Sequence, residues 1–421
     1  MMTSHAIVGA VWGDEGKGKI VDLYSESTDL CYRVGGGPNA GHTVIVGETK
    51  HVLHMLPVGI LRAGCANALG PAVLVDLDVL KTELAISIQC DSSVLLDERA
   101  HIILPFHKLL DECREAASGK TAIGTTKRGV GPVMEDVAAR RGPVLGDLRD
   151  ASRLCKALTD RNFFDERNAL LAYYGHPTFS LEETVGYCMS FSSVVVPRLR
   201  DTAAIVHRSL KASGKVLFEL AQGVMLDIHQ GTYPYVTSSL CTPAAIAAIL
   251  GVYKLDRVTM VSKAYITRVG NGVFPTLIKD ERQQFLAKRG QEFGATTGRQ
   301  RQCGWLDIPM LRYSCRGGTD IALTKLDLFT GLDRIPVCVA YEQRSSGTEL
   351  MSEATLTDTV LSQVTPVYQE LPGWTEDISG CRKFSELPRA AQSYVTFIER
   401  RVGLPVSVIG VGRERNDICS R

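Results

Sequence analysis

Short apolar runs alternate along the chain with segments whose apolar residues recur every three or four positions. The runs predict about seven to nine buried strands, and the amphipathic segments predict helices between them. Strands that alternate with helices are typical of α/β proteins, so we predict a central, mostly parallel β-sheet flanked by helices. The predicted strands include residues 6–11, 30–34, 72–75, 215–221, 258–267, 321–327, 335–341 and 406–411.

The helical pattern is clearest at residues 105–118, from near residue 134, and throughout residues 150–215. Residues 44–55 predict a β-hairpin that turns near Gly47. The sequence contains no internal repeat, no low-complexity tract and no linker that would divide it. We therefore expect a single domain over residues 1–421.

The composition is that of an ordinary globular protein. Hydrophobic residues make up 45% of the 421 residues and charged residues 22%, which allows a large core. The formal net charge of +1 gives no overall field that would attract nucleic acid or an anionic membrane, so we expect neither as a partner. Binding of anionic substrates must then depend on local clusters of residues.

The spacing of the twelve cysteines bears on whether the protein works in a reducing or an oxidising compartment. No pair is spaced as C-x-x-C, and scattered thiols in apolar surroundings indicate a reducing environment. The N-terminus lacks the basic and apolar regions of a signal peptide, and the longest nearly apolar stretch, residues 244–252, is too short to span a bilayer. We expect a cytoplasmic protein.

The segment from Trp12 to Asp22 (WGDEGKGKIVD) joins the first predicted strand to a predicted helix. A strand, a glycine-rich turn and a helix bring backbone N–H groups and the positive helix end to one point, which suits a phosphate. The segment predicts a phosphate loop like that of P-loop NTPases, except that Ile20 stands where Ser or Thr would bind magnesium. Asp14 is unusual, because a carboxylate beside phosphates is costly unless it binds a metal or takes a proton. A glycine-rich turn with solvated charges is the alternative.

Four further segments combine glycine or hydroxyl residues with other polar side chains. Residues 35–44 include His42, which is either a general acid near neutral pH or a surface histidine that caps a turn. Residues 119–132 carry threonines and basic residues among glycines, which suits a nucleotide contact but also a solvated loop. Residues 230–239 are rich in hydroxyls, as a polar pocket wall would be. Residues 294–305 carry two arginines, whose planar forks suit carboxylate or phosphate.

Two further sequence features give weaker indications of function. The predicted strand 321–327 ends in Lys325 and Asp327. The aspartate could accept hydrogen bonds from N1 and N2 of guanine while the lysine stem packs on the ring, but a strand followed by charged residues is common. The basic pair Arg140 and Arg141 ends a predicted helix, where it often only compensates the helix dipole.

Taken together, these strings resemble the adenylosuccinate synthetase family. The resemblance covers nearly the whole chain and rests on unusual strings in one order: GDEGKGK at 13–19, NAGH at 39–42, QG at 222–223, QGTYPYVTSS at 230–239 and TTGR at 296–299. It implies a ligase that joins IMP and L-aspartate, driven by GTP, to give adenylosuccinate, GDP and phosphate through a 6-phosphoryl-IMP intermediate. This reaction is the first committed step from IMP to AMP in purine biosynthesis.

The resemblance also implies catalytic roles. Asp14 would take the N1 proton of IMP so that O6 attacks the γ-phosphate of GTP, while His42 would act as general acid and Lys17 would bind the phosphates. Gln222 completes the implied catalytic set. One Mg²⁺ per subunit would be bound by Asp14 and by the carbonyl of Gly41.

Three binding sets follow from the same resemblance. For GTP it implies Gly13, Asp14, Glu15, Gly16, Lys17, Gly18, Lys19, Gly41, His42, Thr43, Arg301, Lys325, Leu326, Asp327, Gly410, Val411 and Gly412. For IMP it implies Asp14, Asn39, Ala40, Gly41, His42, Thr126, Gln222, Thr237, Arg299 and Arg140, the last reaching the IMP site of the partner in a homodimer. For aspartate it implies Ala295, Thr296, Thr297, Gly298, Arg299, Gln300 and Arg301.

The chain departs from the family pattern at a few positions. Gln300 and Gln302 stand where the family often has arginine, and Arg413 follows Gly412 where proline is common. Rival interpretations are a relative that acts on another purine monophosphate or another amine, a GTP-dependent switch, and a structural protein without activity. A switch would leave the implied IMP pocket without a purpose.

Overall fold

The computed structural model describes residues 3–294, 298, 300–348 and 355–421. Its strands, in chain order, are β1 (Ser4–Gly9), β2 (Leu30–Gly36), β3 (His42–Val46), β4 (Thr49–Leu53), β5 (Ala66–Val73), β6 (Val75–Asp76), β7 (Val94–Asp97), β8 (Ile102–Ile103), β9 (Leu199–Arg200), β10 (Val216–Glu219), β11 (Arg257–Lys263), β12 (Ile266–Arg268), β13 (Gln302–Gly304), β14 (Leu306–Asp307), β15 (Asp320–Thr324), β16 (Leu332–Gln343), β17 (Val364–Trp374), β18 (Val406–Gly410) and β19 (Ile418–Ser420).

The helices of the same residues are α1 (Lys17–Ser25), α2 (Leu77–Gln89), α3 (Pro105–Ser118), α4 (Val130–Ala139), α5 (Ala151–Thr159), α6 (Phe163–Tyr173), α7 (Leu181–Met189), α8 (Ser192–Val195), α9 (Thr202–Lys211), α10 (Ala244–Leu250), α11 (Glu281–Arg289), α12 (Ile308–Ser314), α13 (Asp358–Ser362) and α14 (Arg389–Val402). Short 3₁₀ turns join some of them, including the turn Leu326–Phe329 that follows β15.

Ten strands form the central sheet, in the order β19-β18-β15-β11-β1-β10-β2-β5-β7-β9. Neighbouring strands run parallel except β18 and β19, which are antiparallel. The predicted α/β fold with a mostly parallel central sheet is therefore confirmed. The described residues form more strands than the expected seven to nine, because strands as short as β9 and β19 leave no recognisable apolar run. The strand predicted at 335–341 is part of β16, which pairs with β14 and β17 in a separate small sheet.

Both faces of the sheet are buried. Ala6 and Val8 of β1 pack in one hydrophobic core, whereas Ile7 packs in another. Successive side chains of a strand point to opposite faces, so the two cores lie on opposite sides of the sheet. Strands covered on both faces are nearly continuous apolar runs, which explains why these strands could be predicted.

Two predicted strands differ from the structure at their carboxyl ends. Residues 258–267 form two strands, because the chain leaves the sheet after β11 and continues as β12, which pairs with β13. The prediction for 321–327 was wrong at its end, since β15 stops at Thr324 and Lys325 takes a left-handed φ of 59°. Lys325 and Asp327 therefore lie in a turn and not on a strand.

Other local predictions agree more closely. The helix predicted at 105–118 is α3, and the hairpin predicted at 44–55 is formed by β3 and β4, with Gly47 at its turn. The strand predicted at 72–75 is only the end of β5, which begins at Ala66. The region 150–215 contains five helices and is interrupted by β9. Among the described helices, none is both long and apolar enough to cross a membrane.

The carboxyl ends of β1, β2, β10, β15 and β18 lie at the same edge of the sheet, because these strands are parallel. Open α/β sheets bind ligands at this edge. The phosphate loop follows β1, Asn39 follows β2, Gln222 follows β10, Lys325 follows β15 and Gly412 follows β18. The topology therefore brings the candidate residues to one place.

Candidate active site

A cavity of about 870 Å³ lies at this edge, a volume that suits small-molecule ligands. Segments that are far apart in the chain line it together. Its lining includes most of the site residues implied by the sequence, namely Gly13, Asp14, Gly16, Lys17, Gly18, Lys19, Asn39, Ala40, Gly41, His42, Thr43, Thr126, Gln222, Thr237, Arg301, Lys325, Asp327, Gly410 and Gly412.

The carboxylate of Glu15 stabilises the conformation of the phosphate loop. The carboxylate of Glu15 accepts hydrogen bonds from the backbone N–H of Val11 at 3.0 Å and of Gly13 at 2.8 Å. Nζ of Lys17 donates to the same carboxylate at 2.7 Å, and both side chains are buried. Glu15 thus braces the loop from beneath instead of facing the cavity, while Gly13 and Asp14 adopt positive φ angles of 81° and 60° in the turn.

Lys19 anchors the loop to the C-terminal end of the chain. Its Nζ donates to the backbone carbonyls of Gly412 and Asp417, each at 2.9 Å. Burial lowers the pKa of Lys19 to about 8. The lysine that fits the general phosphate-loop pattern therefore joins the two ends of the candidate GTP site.

Arg301 bridges the two sides of the cavity. Its Nε lies 2.7 Å from Oδ2 of Asp14, and its Nη1 lies 2.8 Å from Oε2 of Glu292. The carboxylate expected to act as base is therefore held by an arginine from the candidate aspartate loop.

His42 is buried and belongs to a charged cluster, so it is not the surface histidine of the alternative interpretation. Its Nδ1 contacts Oε1 of Glu219, which also accepts a hydrogen bond from Nη1 of Arg33 at 2.7 Å. The second oxygen of Glu219 accepts from the backbone N–H of Val58 at 2.9 Å. Burial and the neighbouring Arg33 guanidinium lower the pKa of His42, while Glu219 acts in the opposite direction.

Within the part of the chain that the structure describes, three polar atoms at the cavity are buried without a hydrogen-bond partner: Oδ1 of Asn39, Nε2 of Gln222 and Oδ1 of Asp327. A buried polar atom without a partner is costly, and in native proteins it usually has a functional reason. Burial also raises the pKa of Asp327. The three atoms are therefore places where a polar ligand would complete the hydrogen bonding.

Residues 124–129, in the middle of the loop at 119–132, are held by side chains of α3. Glu115 accepts hydrogen bonds from the backbone N–H groups of Gly124 at 2.6 Å and Thr125 at 3.0 Å. Asp111 accepts from the Thr125 hydroxyl at 3.0 Å and from the backbone of Gly129 at 2.9 Å. These contacts hold the loop at the wall of the cavity, where Thr126 lies.

Some implied site residues do not reach the cavity. Within the part of the chain that the structure describes, the cavity lining excludes Glu15, Leu326, Val411, Gly298, Gln300 and Arg140. Leu326 and Val411 are core residues, and Gln300 is exposed, with its amide 3.3 Å from that of Gln284. Ala295, Thr296, Thr297 and Arg299 lie outside the described residues.

Sequence reasoning missed the charged residues behind the cavity. Arg33 and Glu219 lie within β2 and β10, where every residue is buried. Charged residues in the middle of an apolar strand are rarely tolerated unless they are paired, so their positions were a usable signal. Glu292 carried a weaker signal, since it follows α11 in a polar segment.

Fold and cavity together define a nucleotide-dependent enzyme of the α/β class, with a phosphate loop, a carboxylate and a histidine at one pocket. The chain matches the adenylosuccinate synthetase family over residues 6–419. It is 44% identical to the adenylosuccinate synthetase of Carboxydothermus hydrogenoformans over 422 residues, covering 99% of this chain and 98% of that protein. It is also 44% identical to that of Leifsonia xyli subsp. xyli over 428 residues, covering 100% and 97%.

Solved structures agree with the sequence comparison. The fully ligated adenylosuccinate synthetase from Plasmodium falciparum superposes with a TM-score of 0.94 at 36% identity, with complete coverage of both chains. A succinoaminodeoxyadenylate synthetase of cyanophage S-2L shares the fold, with a TM-score of 0.63 at 20% identity and coverage of 100% of this chain and 95% of that one.

The chain therefore belongs to the adenylosuccinate synthetase family. It is a ligase of purine biosynthesis that forms a C–N bond between IMP and L-aspartate, with GTP as the co-substrate. This assignment confirms the expected activity over the switch and over the inactive structural protein.

Proposed function

We propose that Asp14 and His42 carry the chemistry of this ligation. Asp14 accepts the N1 proton of IMP while O6 attacks the γ-phosphorus of GTP, which gives 6-phosphoryl-IMP and GDP. The amine of aspartate then attacks C6 and loses a proton, and phosphate leaves with O6, so that adenylosuccinate is formed. Phosphorylation is needed because the carbonyl oxygen of IMP is otherwise a poor leaving group.

One observation carries this proposal: Asp14 and His42 line the same cavity as three buried polar atoms that lack partners. Glu219 can only accept a hydrogen bond, so Nδ1 of His42 bears the proton in that contact, while Nε2 lies 3.1 Å from Nη1 of Arg33 and would exchange that contact for one with the substrate. The negative charge of the γ-phosphate would favour the protonated imidazole, which burial and Arg33 disfavour. Protonated His42 would then stabilise the charge on the transferring phosphoryl group.

Asp14 and the carbonyl of Gly41 fit a magnesium ion. Both line the cavity, and the Asp14 side chain keeps 30% of its surface exposed. Mg²⁺ prefers such oxygen ligands and usually takes the rest from substrate phosphates and water. Bound there, one Mg²⁺ per subunit would neutralise phosphate charge. For Asp14 to bind an ion or a proton, Arg301 must release its carboxylate or share it.

The two nucleotides are proposed to occupy opposite parts of the cavity. For IMP, support comes from the unpartnered amide atoms of Asn39 and Gln222, beside Thr126 and Thr237. For GTP, the unpartnered Oδ1 of Asp327 supports guanine recognition, because a carboxylate accepts from both N1 and N2 of guanine. We assign the phosphates to residues 13–19 and the guanine to the neighbourhood of Lys325 and residues 410–412.

Aspartate is proposed to bind at the loop formed by residues 295–301, with Arg299 contacting both aspartate and IMP. Support for this comes from Arg301, whose guanidinium already lies at the cavity and pairs with a carboxylate. Arginine forks of this kind suit the carboxylates of aspartate.

We further propose a homodimer in which Arg140 of one subunit serves the IMP site of the other. Arg140 is exposed at the end of α4, in a left-handed conformation with φ of 59°, and lies outside its own cavity within the described residues. Mixing Arg140→Leu with Asp14→Asn tests this arrangement. Two inactive variants should regain activity in hybrid dimers, because one site then holds both an intact Asp14 and an intact arginine. No recovery would place Arg140 in its own site or outside catalysis.

Residues 1–421 are proposed to act as one domain in the cytoplasm. The central sheet uses strands from residue 4 to residue 420, and all twelve cysteines are free thiols, as expected in a reducing compartment. A single unfolding transition and recovery of the enzyme in the soluble cytoplasmic fraction are the expected results.

The central test measures GTP consumption by the purified protein with Mg²⁺, IMP and aspartate, omitting each in turn and following adenylosuccinate by absorbance. Turnover should require every component. Asp14→Asn should lower kcat by roughly 10²- to 10⁴-fold, the range for loss of a general base, whereas Asp91→Asn on the exposed surface should not. GTP hydrolysis indifferent to IMP and aspartate would contradict the proposal, and turnover with another purine monophosphate but not IMP would indicate a changed substrate.

A further inference from the structure

Glu292 is a fully buried carboxylate behind the cavity that no catalytic step uses. It follows α11 and lies between the loop that carries Arg301 and the turn that carries Lys325. Nζ of Lys263 donates to both of its oxygens at 2.9 Å, and the hydroxyl of Tyr265 donates to one of them. Glu292 is thus part of a dense network of buried charges.

The two carboxylate oxygens of Glu292 accept hydrogen bonds from residues in two different parts of the candidate active site. Oε1 accepts from Nζ of Lys325 at 2.5 Å, on the proposed guanine side. Oε2 accepts from Nη1 of Arg301 at 2.8 Å, on the side of the proposed aspartate loop. One carboxylate therefore links Lys325, near the proposed guanine site, to Arg301, which also contacts Asp14 near the proposed aspartate site.

Glu292 also closes the stem of the loop through its backbone. Its carbonyl accepts from the N–H of Arg301 at 2.8 Å, and the next residues, Phe293 and Gln300, form a bridge. Any shift of Glu292 would therefore move the start of the aspartate loop together with the Arg301 side chain.

The charges explain why the network stays together. Lys263, Lys325 and Arg301 lower the pKa of Glu292 despite its burial, and burial lowers the pKa of Lys263 to about 8. Removing the one carboxylate would leave three cations close together without a shared partner, a costly arrangement in a buried site.

We infer that Glu292 is a positioning residue that couples GTP binding to aspartate binding, because it holds Lys325 and Arg301 on one carboxylate. The inference rests on the proposed roles of Lys325 and Arg301. Glu292 lies outside the cavity lining of the described residues, so it acts through Lys325, Arg301 and its own backbone contact with Arg301. A GTP molecule that contacts Lys325 would, through Glu292, set the position of Arg301 for aspartate.

Glu292→Gln tests this coupling, since it keeps the shape and removes the charge. We expect the KM values for GTP and for aspartate each to rise at least tenfold, with kcat at saturation within threefold of wild type and the Kd for IMP unchanged. We also expect saturating GTP to lose its effect on the KM for aspartate. Glu281→Gln, an exposed change on α11, is the matched control and should leave all of these values unchanged.

A purely structural role would give a different result. It would lower Tm and the active fraction but leave the two KM values of the folded enzyme as they are, which would overturn the inference. A rise in only one KM would do the same. If Glu292→Gln does not fold, Glu292→Asp keeps the charge but shortens the reach, so weakened coupling is expected at near-normal kcat. An inactive wild-type enzyme would instead contradict the proposed function, which separates the two failures.

Discussion

His42 and Glu219 form a buried pair in which Nδ1 of the imidazole contacts Oε1 of the carboxylate, which is itself bound by Arg33. The pair sets the orientation of the imidazole, whose Nε2 lies 3.1 Å from Nη1 of Arg33. Orientation of a catalytic histidine by a buried carboxylate is a general device, because it sets both the tautomer and the ring position.

Glu219→Gln is therefore expected to lower kcat by at least about tenfold with little change in KM. It should also lower the free energy of unfolding by roughly 3 kcal/mol, because Arg33 would remain buried without its charged partner. Steady-state kinetics and urea unfolding measure the two effects. Glu48→Gln, on the exposed turn of the β3–β4 hairpin, is the control, and an unchanged kcat in Glu219→Gln would refute the orienting role.

Asp327→Asn tests guanine recognition. The buried Oδ1 of Asp327 has no hydrogen-bond partner among the described residues, and hydrogen bonds to a charged group contribute about 1.5–3 kcal/mol. We expect the KM for GTP to rise roughly 10- to 100-fold while the KM for IMP stays the same. Asp333→Asn, at an exposed carboxylate nearby in the chain, should change neither value. An equal rise in both KM values would point to a general distortion of the site.

Gly9→Ala tests the close packing beneath the phosphate loop. A Cβ at Gly9 would lie 2.3 Å from the backbone oxygen of Gln222 and 2.7 Å from Nζ of Lys17. We expect a loss of about 1–3 kcal/mol in stability, and a lower kcat/KM for IMP because Gln222 must shift. In contrast, Gly186→Ala in α7 meets no atom within 4 Å and should stabilise the protein by up to about 1 kcal/mol. Urea unfolding should show a lower free energy of unfolding for Gly9→Ala and a higher one for Gly186→Ala than for wild type.

Asp307, which does not line the cavity, should make the stability of the protein depend on pH. It caps α12 and accepts from the Tyr341 hydroxyl at 2.5 Å, and burial raises its pKa to about 7. The folded state holds this proton more tightly than the unfolded state does, so stability falls as pH rises from about 4 to 7, by up to about 4 kcal/mol.

Asp307→Asn should remove this slope, since asparagine still caps the helix but does not titrate. Urea unfolding at several pH values between 4 and 8 measures the difference from wild type. Asp280→Asn changes an exposed cap of α11, whose pKa is lowered by Arg282, and should not flatten the curve in this range. If the free energy of unfolding depends on pH in the same way for wild type and Asp307→Asn, Asp307 does not titrate between pH 4 and 8.

Local pattern was sufficient for the family, the fold class and most of the cavity lining. Strands buried on both faces leave continuous apolar runs, and the phosphate loop needs its glycines adjacent in the chain. The strings around Asp14 and His42 are therefore local in sequence, and the cavity contains both residues.

The charged pairs behind the cavity depended on the tertiary structure. Glu219 is 186 residues from Arg33, and Arg301 is 287 residues from Asp14. Arg33 and Glu219 meet because β2 and β10 are neighbours in the sheet, and Arg301 meets Asp14 only in the folded chain. No short-range sequence pattern shows which charged residues will pair. The turn at Lys325 was missed as well, since the side chain that follows from its left-handed backbone meets Gly290 and Glu292, which are 35 and 33 residues away in the chain.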